Sequence, residues 1–216
     1  MEKIIQLHAE FYERVTKDPL ISRDLAKENI TILDGFYQNV GLVKKYYETM
    51  YKLQGERIVL CGINPGRKGA GKTGIPFIDF KGASYILSDF FDNDRESSAQ
   101  FILTIIKEVG IEKFYKRAYM TNISWFGFMK NGKNLNYYNL PSHLVNIFTE
   151  SFIDEMEIVK PKMIIPLSVE VEKTLKDLAK SEKLNYLIAP RLHHPYHCSI
   201  GKNAEKSKRE YLKAIN

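Results

Sequence analysis

Apolar residues recur along this chain at two spacings, which predict where helices and strands lie. In residues 1–16 the side chains of Ile4, Phe11 and Val15 fall on one face of a helix. Similar periodicity predicts helices over residues 39–53, 97–109, 141–159, 168–183 and 203–215, and Ser97 or Ser98 is the expected N-cap of helix 97–109. Short continuous apolar runs predict buried strands at residues 57–63, 118–124, 162–167 and 185–189.

The predicted strands alternate with helices, which indicates a parallel sheet with helices on both faces. In such sheets, binding sites form beyond the carboxyl ends of the strands. Asn64, Asn122 and His194 lie at the ends of the first, second and fourth predicted strands. We therefore expect these three polar side chains to lie at the same edge of the sheet.

The composition is that of a globular protein with a modest excess of positive charge. The 216 residues are 44% hydrophobic and 27% charged, and they predict one domain, residues 1–216, with residues 1–55 as a helical extension. The net charge of +6 favours a polyanionic partner. No stretch of consecutive apolar residues reaches the length of about 18 that a membrane span needs. Two cysteines are too few for a disulfide framework. We therefore expect no membrane association and a cytoplasmic location.

Residues 66–73, GRKGAGKT, satisfy the phosphate-loop pattern of nucleotide-binding proteins. That loop requires a helix starting near the Lys-Thr pair, but Gly74 and Pro76 follow at once. Pro inside a helix costs roughly 3 kcal/mol, and Gly costs about 1 kcal/mol more. The acidic metal ligand expected at the end of another strand is also missing after residues 163–167. An NTP-binding protein therefore remains only as an alternative interpretation.

The glycine-rich stretch around residues 66–73 also carries a second sequence pattern. GINPG at residues 62–66, followed by TGIPF at residues 73–77, resembles the first motif of the single-strand-selective monofunctional uracil-DNA glycosylases, within the uracil-DNA glycosylase superfamily. YMTN at residues 119–122 and NGKNLNYY at residues 131–138 are similar to later segments of that family, and LHHP at residues 192–195 resembles its second motif. The resemblance covers about residues 55–205 in the family's order, and it is closest to the bacterial second-group branch.

The resemblance implies a three-layer α/β/α sandwich with a central four-stranded, mainly parallel sheet. It also implies a monofunctional DNA glycosylase that hydrolyses the bond between deoxyribose and uracil, or a related damaged base, during base excision repair. Such an enzyme flips the nucleotide out of the stack and stabilises a developing base anion. No lysine is placed by a motif to form a Schiff base, so no lyase step is expected.

The residue roles that the resemblance implies suit this chemistry. Asn64 would hold the attacking water, and His194 would donate an N–H to the leaving base. Phe77 would stack on the base, and the amide of Asn122, which offers both a donor and an acceptor, would read its edge. The backbone at Ile63 and Gly66 would contact the base as well. Each residue alone has an ordinary structural explanation, whereas together, at different strand ends, they favour a catalytic site.

Basic segments flank the expected pocket on both sides. Residues 191–216 hold six Lys or Arg residues against two Glu residues, as expected where a DNA backbone runs. The segment after His194 departs from the vertebrate family pattern, which leaves the residue that enters the duplex open between Tyr196 and Ile200. The full set of expected DNA contacts is Arg67, Lys68, Lys72, Tyr196, Ile200 and Lys202.

No metal ion or other cofactor is expected. HHxxHC at residues 193–198 contains zinc-ligand residue types, but adjacent histidines diverge and no second cluster completes a known zinc spacing. We expect a monomer whose partner is single- or double-stranded DNA. A non-catalytic module that binds damaged DNA is the second alternative to the enzyme.

Overall fold

The computed structural model describes residues 2–52, 55–88, 92–199 and 204–216. Twelve α-helices and one 3-10 helix, Tyr137–Asn139, lie within these ranges. The α-helices are α1 Glu2–Lys17, α2 Pro19–Lys27, α3 Gly35–Gln38, α4 Val40–Met50, α5 Ala70–Thr73, α6 Phe80–Leu87, α7 Ser97–Val109, α8 Ile111–Arg117, α9 Ser142–Val159, α10 Val169–Lys180, α11 Pro195–Cys198 and α12 Ala204–Ile215. The six strands of the same ranges are β1 Ile30–Ile32, β2 Ile58–Gly62, β3 Ala118–Asn122, β4 Phe128–Lys130, β5 Lys133–Leu135 and β6 Met163–Pro166.

The central sheet is parallel, with strand order β3-β2-β6. Its strands are short apolar runs that are buried almost throughout, as strands covered by helices on both faces must be. The register pairs Gly62 with Asn122 and Cys61 with Pro166, so the strands end at the same level. The expected parallel α/β fold is confirmed.

The predicted fourth strand, residues 185–189, is shorter than expected. It is reduced to a single parallel bridge between Ile164 and Ile188 at the free edge of β6, with Ala189 N–H donating to the Ile164 carbonyl over 2.9 Å. Pro166 explains this, because it has no N–H to donate to the neighbouring segment and cannot extend the ladder beyond Ile164.

A second sheet was not expected from the sequence. It is antiparallel, in the order β1-β4-β5, and each strand has only three residues. Asn131 and Gly132 form the tight turn between β4 and β5, with φ values of 52° and 73°. Asn-Gly is the preferred pair for a two-residue hairpin turn, because both positions require positive φ.

Side chains cap the starts of α7 and α10. The N-cap of α7 is Glu96, and the expectation of Ser97 or Ser98 is wrong. The longer Glu96 side chain accepts from the Ala99 N–H over 3.1 Å and also binds the Ser98 hydroxyl, so that hydroxyl is not the cap. Ser168 caps α10 through the Val171 N–H, and Pro141 stands at the N-cap of α9.

The phosphate-loop pattern adopts a different structure from the one its sequence suggests. Residues 70–73 form a single helical turn that ends, rather than begins, at the Lys-Thr pair, because Gly74 is left-handed with φ 77°. A Cβ at Gly74 would lie 2.4 Å from the Cα of Phe36, so only glycine fits there. No helix therefore begins at the Lys-Thr pair, where a phosphate loop needs a helix N-terminus to hold the phosphate.

Candidate active site

The strand ends bring the predicted polar residues together in one cleft of about 1290 Å³. Asn64 follows β2, Asn122 ends β3, and His194 precedes α11. The expected site residues that line the cleft are Ile63, Asn64, Gly66, Arg67, Lys68, Phe77, Asn122, His194 and Tyr196. Lys72 does not line it, and Ile200 and Lys202 lie outside the described residues.

The side chain of Asn64 is held in one orientation by the end of β5 and the residues that follow it. Its amide nitrogen donates to the carbonyls of Leu135 over 3.2 Å and Pro65 over 3.3 Å. Its Oδ1 accepts from the Tyr137 N–H over 2.9 Å. Since an amide oxygen has two lone pairs, one acceptor position on Oδ1 remains for a bound molecule.

Phe77 and Asn122 lie against the bare backbone at the end of β2. A Cβ at Gly62 would lie 2.3 Å from the Phe77 ring and 2.4 Å from the Asn122 Oδ1, so glycine is required there. Asn122 is 3% exposed, and its side chain makes no hydrogen bond among the described residues. A buried amide that lacks a protein partner and lines a cleft is suited to pair with a ligand.

His194 presents a neutral imidazole to the cleft. Burial, and next the charge of His197, lower the pKa of His194 to about 4. Its Nδ1 accepts a hydrogen bond from the Tyr196 N–H over 3.2 Å, so the neutral ring carries its proton on Nε2. The His194 ring centroid lies 6.5 Å from that of Phe77, across the same pocket.

A buried carboxylate that the sequence analysis missed anchors the chain beside Phe77. Asp79 is 1% exposed and accepts three hydrogen bonds, from the N–H groups of Gly82 and Glu96 and from the Gln100 amide. These bonds join the start of α6 to the start of α7. The sequence signal was an Asp directly before a helical pattern, which is a common N-cap position.

Positive charge predominates around the cleft. Its lining includes the cations Arg67, Lys68, Arg95 and Arg191 and the carboxylates Glu96 and Glu170. Arg191 also binds Glu172 over 3.2 Å. Sequence reasoning did not select several lining residues as site residues. Asn134, Asn136 and Tyr138 lie in the NGKNLNYY segment and Arg191 in the basic C-terminal segment, whereas Arg95, Val169 and Glu170 come from outside the motifs.

Three other features that the sequence analysis considered are the Lys72 contact, a metal site and a membrane span. Lys72, an expected DNA contact, forms an ion pair with Asp94. Among the described residues, no three His, Cys, Asp or Glu side chains cluster as a metal site would require. In the same part of the chain, no helix is long and apolar enough to cross a membrane.

Comparisons with known proteins bear directly on this cleft. The crystal structure of wild-type Pedobacter heparinus SMUG2 superposes with a TM-score of 0.70 at 29% identity, covering 86% of this chain and 87% of that one. No curated protein matches. The family model of the uracil DNA glycosylase superfamily matches residues 50–216, which include every strand-end residue of the cleft. The chain therefore belongs to the uracil DNA glycosylase superfamily, as a hydrolase that acts on N-glycosyl bonds in DNA.

Proposed function

We propose that this cleft receives a flipped uracil, or a related deaminated or oxidised base, and releases it from DNA by hydrolysis without a covalent intermediate. One observation carries the proposal: Asn64, Asn122 and His194 come from three separate segments and line one cleft together with the Phe77 ring. The candidate bases are uracil, hydroxymethyluracil, xanthine and hypoxanthine, since each offers an edge that an amide can meet.

Asn64 is proposed to hold the attacking water. The remaining acceptor position of its Oδ1 is the support, because the other positions of the amide are engaged with backbone groups. An amide is a poor base, so Asn64 orients the water and does not remove its proton early. That is sufficient when the sugar becomes cationic before the attack, although an amide is a weaker base than a carboxylate.

His194 is proposed to stabilise the departing base. With Nδ1 occupied by the Tyr196 N–H, the Nε2–H is the group available to a developing anion. The low pKa, about 4, keeps the ring neutral at physiological pH, so the residue acts as a hydrogen-bond donor and not as a general acid. A positioned donor of this kind acts mainly in the transition state, where the charge develops.

Base recognition is assigned to Asn122 and Phe77, with backbone contacts at Ile63 and Gly66. Asn122 lacks a side-chain hydrogen bond among the described residues, so both its donor and its acceptor remain for the O4 and N3–H of uracil. The Phe77 ring supplies a flat apolar surface parallel to which a base can stack.

The DNA backbone is proposed to run along the cationic side of the cleft, past Arg67 and Lys68. Tyr196 is 47% exposed at the cleft, which suits the side chain that enters the duplex and fills the gap left by the flipped base. Lys72 reaches DNA only by leaving Asp94, and Ile200 and Lys202 remain predicted contacts. We further propose that residues 1–216 act as one domain, as a monomer, in the cytoplasm on nucleoid DNA.

Single-turnover release of base from oligonucleotides tests the function. Substrates carry one uracil, hydroxymethyluracil, xanthine or hypoxanthine, each in single and double strands. We expect Asn64→Ala and His194→Ala each to raise the barrier by about 2–4 kcal/mol, the scale of a lost positioned group. His143→Ala is the matched control, because His143 is exposed and pairs with Asp24 away from the cleft.

Two results would refute the proposal in different ways. Release of none of these bases would remove the enzymatic function, and retained affinity for uracil-containing DNA would then identify a damage-binding module. Near-normal rates in both alanine variants would leave the activity in place but refute the assigned roles.

A further inference from the structure

Phe77 adopts a backbone conformation that large side chains rarely adopt. Its φ is 60°, in a four-residue turn in which the Ile78 N–H donates to the Ile75 carbonyl over 3.1 Å. Pro76 occupies the second position of this turn. Proline at the second position and positive φ at the third are typical of a type II turn, whose third residue is normally glycine. A phenylalanine in that position has to be held by its surroundings.

The side chain of Thr73 binds both ends of this turn. Its hydroxyl accepts a hydrogen bond from the Ile75 N–H over 3.1 Å and donates to the Ile78 carbonyl over 2.6 Å. Thr73 is fully buried, so neither backbone group has water as an alternative partner. The hydroxyl therefore connects the residues immediately before and after the Pro76–Phe77 pair.

The chain on either side of the turn is fixed independently. Gly74 packs with its Cα against the backbone of Phe36, and Asp79 is anchored by its three hydrogen bonds to α6 and α7. Between these anchors lie residues 75–78, and among the described residues the Thr73 hydroxyl is the side-chain group that bonds to their backbone. The Phe77 ring touches the Gly62 backbone, so a shift of the turn moves the ring within the cleft.

We propose that Thr73 is a positioning residue for base recognition: its buried hydroxyl holds Phe77 in the strained turn that presents the ring to the flipped base. The inference rests on the proposed function for the use of the ring. It also assigns a role to the threonine of the phosphate-loop pattern, whose hydroxyl binds the turn rather than a nucleotide-bound cation.

Three substitutions separate the hydroxyl from the size of the side chain. Thr73→Val keeps the shape and removes the hydroxyl, whereas Thr73→Ser keeps the hydroxyl. Thr149→Val is the matched control, because Thr149 is also buried and its hydroxyl donates to one backbone carbonyl within α9. Should Thr73→Val fail to fold by circular dichroism, Thr73→Ala replaces it in every measurement.

We expect Thr73→Val to slow base release at saturating enzyme by about tenfold to a hundredfold, from the loss of two buried hydrogen bonds. Its affinity for DNA that carries an abasic-site analogue stays that of the wild type, since no base stacks on Phe77 there. Thr73→Ser and Thr149→Val keep most of the wild-type rate. Wild-type release by Thr73→Val, or equal loss in Thr73→Ser, would overturn the inference.

A crystal structure of Thr73→Val gives a readout that does not depend on activity. We expect Phe77 to leave positive φ and its ring to move away from Gly62. An unchanged Phe77 in that structure would overturn the inference. If the wild-type protein released no base, the proposed function would fail, and this structure alone would decide whether Thr73 positions Phe77.

Discussion

Acidification is expected to act on this protein through His194. Burial and the neighbouring His197 hold its pKa at about 4 in the folded chain, against an ordinary value of 6.5. As pH falls through 6.5 the unfolded chain takes up a proton at this residue, and the folded chain does not until about pH 4. The contribution of neutral His194 to folding is therefore complete above pH 6.5 and is lost progressively between the two values.

The size of the effect follows from the separation of the two pKa values. Each pKa unit corresponds to about 1.4 kcal/mol, so the contribution amounts to about 2–3 kcal/mol once partial exposure of the ring is allowed for. His194→Asn removes the titration, and asparagine can still accept from the Tyr196 N–H, since it is a favoured N-cap residue.

Urea unfolding of the wild type and of His194→Asn, at pH 7.5, 6.5, 5.5 and 4.5, measures the difference. We expect the free energy of unfolding of the wild type to fall relative to that of the variant below pH 6.5. Base release should not lose the His194 donor in this range, because the ring stays neutral. An NMR titration midpoint of the His194 ring near 6.5, or parallel stability curves for the two proteins, would refute the reasoning.

Two further predictions follow from the packing of the site. Gly62→Ala should lower base release at least about a hundredfold, since the added Cβ collides with Phe77. Gly41→Ala is the control, because in helix α4 no atom lies within 4 Å of the added Cβ, and it should keep full activity in the same assay. Asn64→Asp should release base no faster than wild type at pH 7, although a carboxylate is the stronger base, because an ionised oxygen cannot donate to the Leu135 carbonyl. The same variant should lose about 1–2 kcal/mol of stability in urea, more at pH 8 than at pH 5, and a tenfold gain in rate would contradict this account.

Much of the central framework was predictable from local pattern. The apolar runs located β2, β3 and β6 to within two residues at each end, because buried parallel strands read as continuous hydrophobic segments. The antiparallel sheet was missed, since three-residue strands are too short to show a period. The predicted fourth strand was too long for a different reason, the missing N–H group of Pro166.

Within the glycine-rich stretch, Gly74 and Pro76 were sufficient to exclude the helix of a phosphate loop, because their effect on the backbone is local. The orientation of Asn64 was decided only in the folded chain, by Leu135 and Tyr137, which are 71 and 73 residues away. The pKa of His194 depends in the same way on burial in the folded protein. Periodicity reports which face of a segment is buried, whereas hydrogen bonds between distant segments and the desolvation of a ring arise only when the elements pack together.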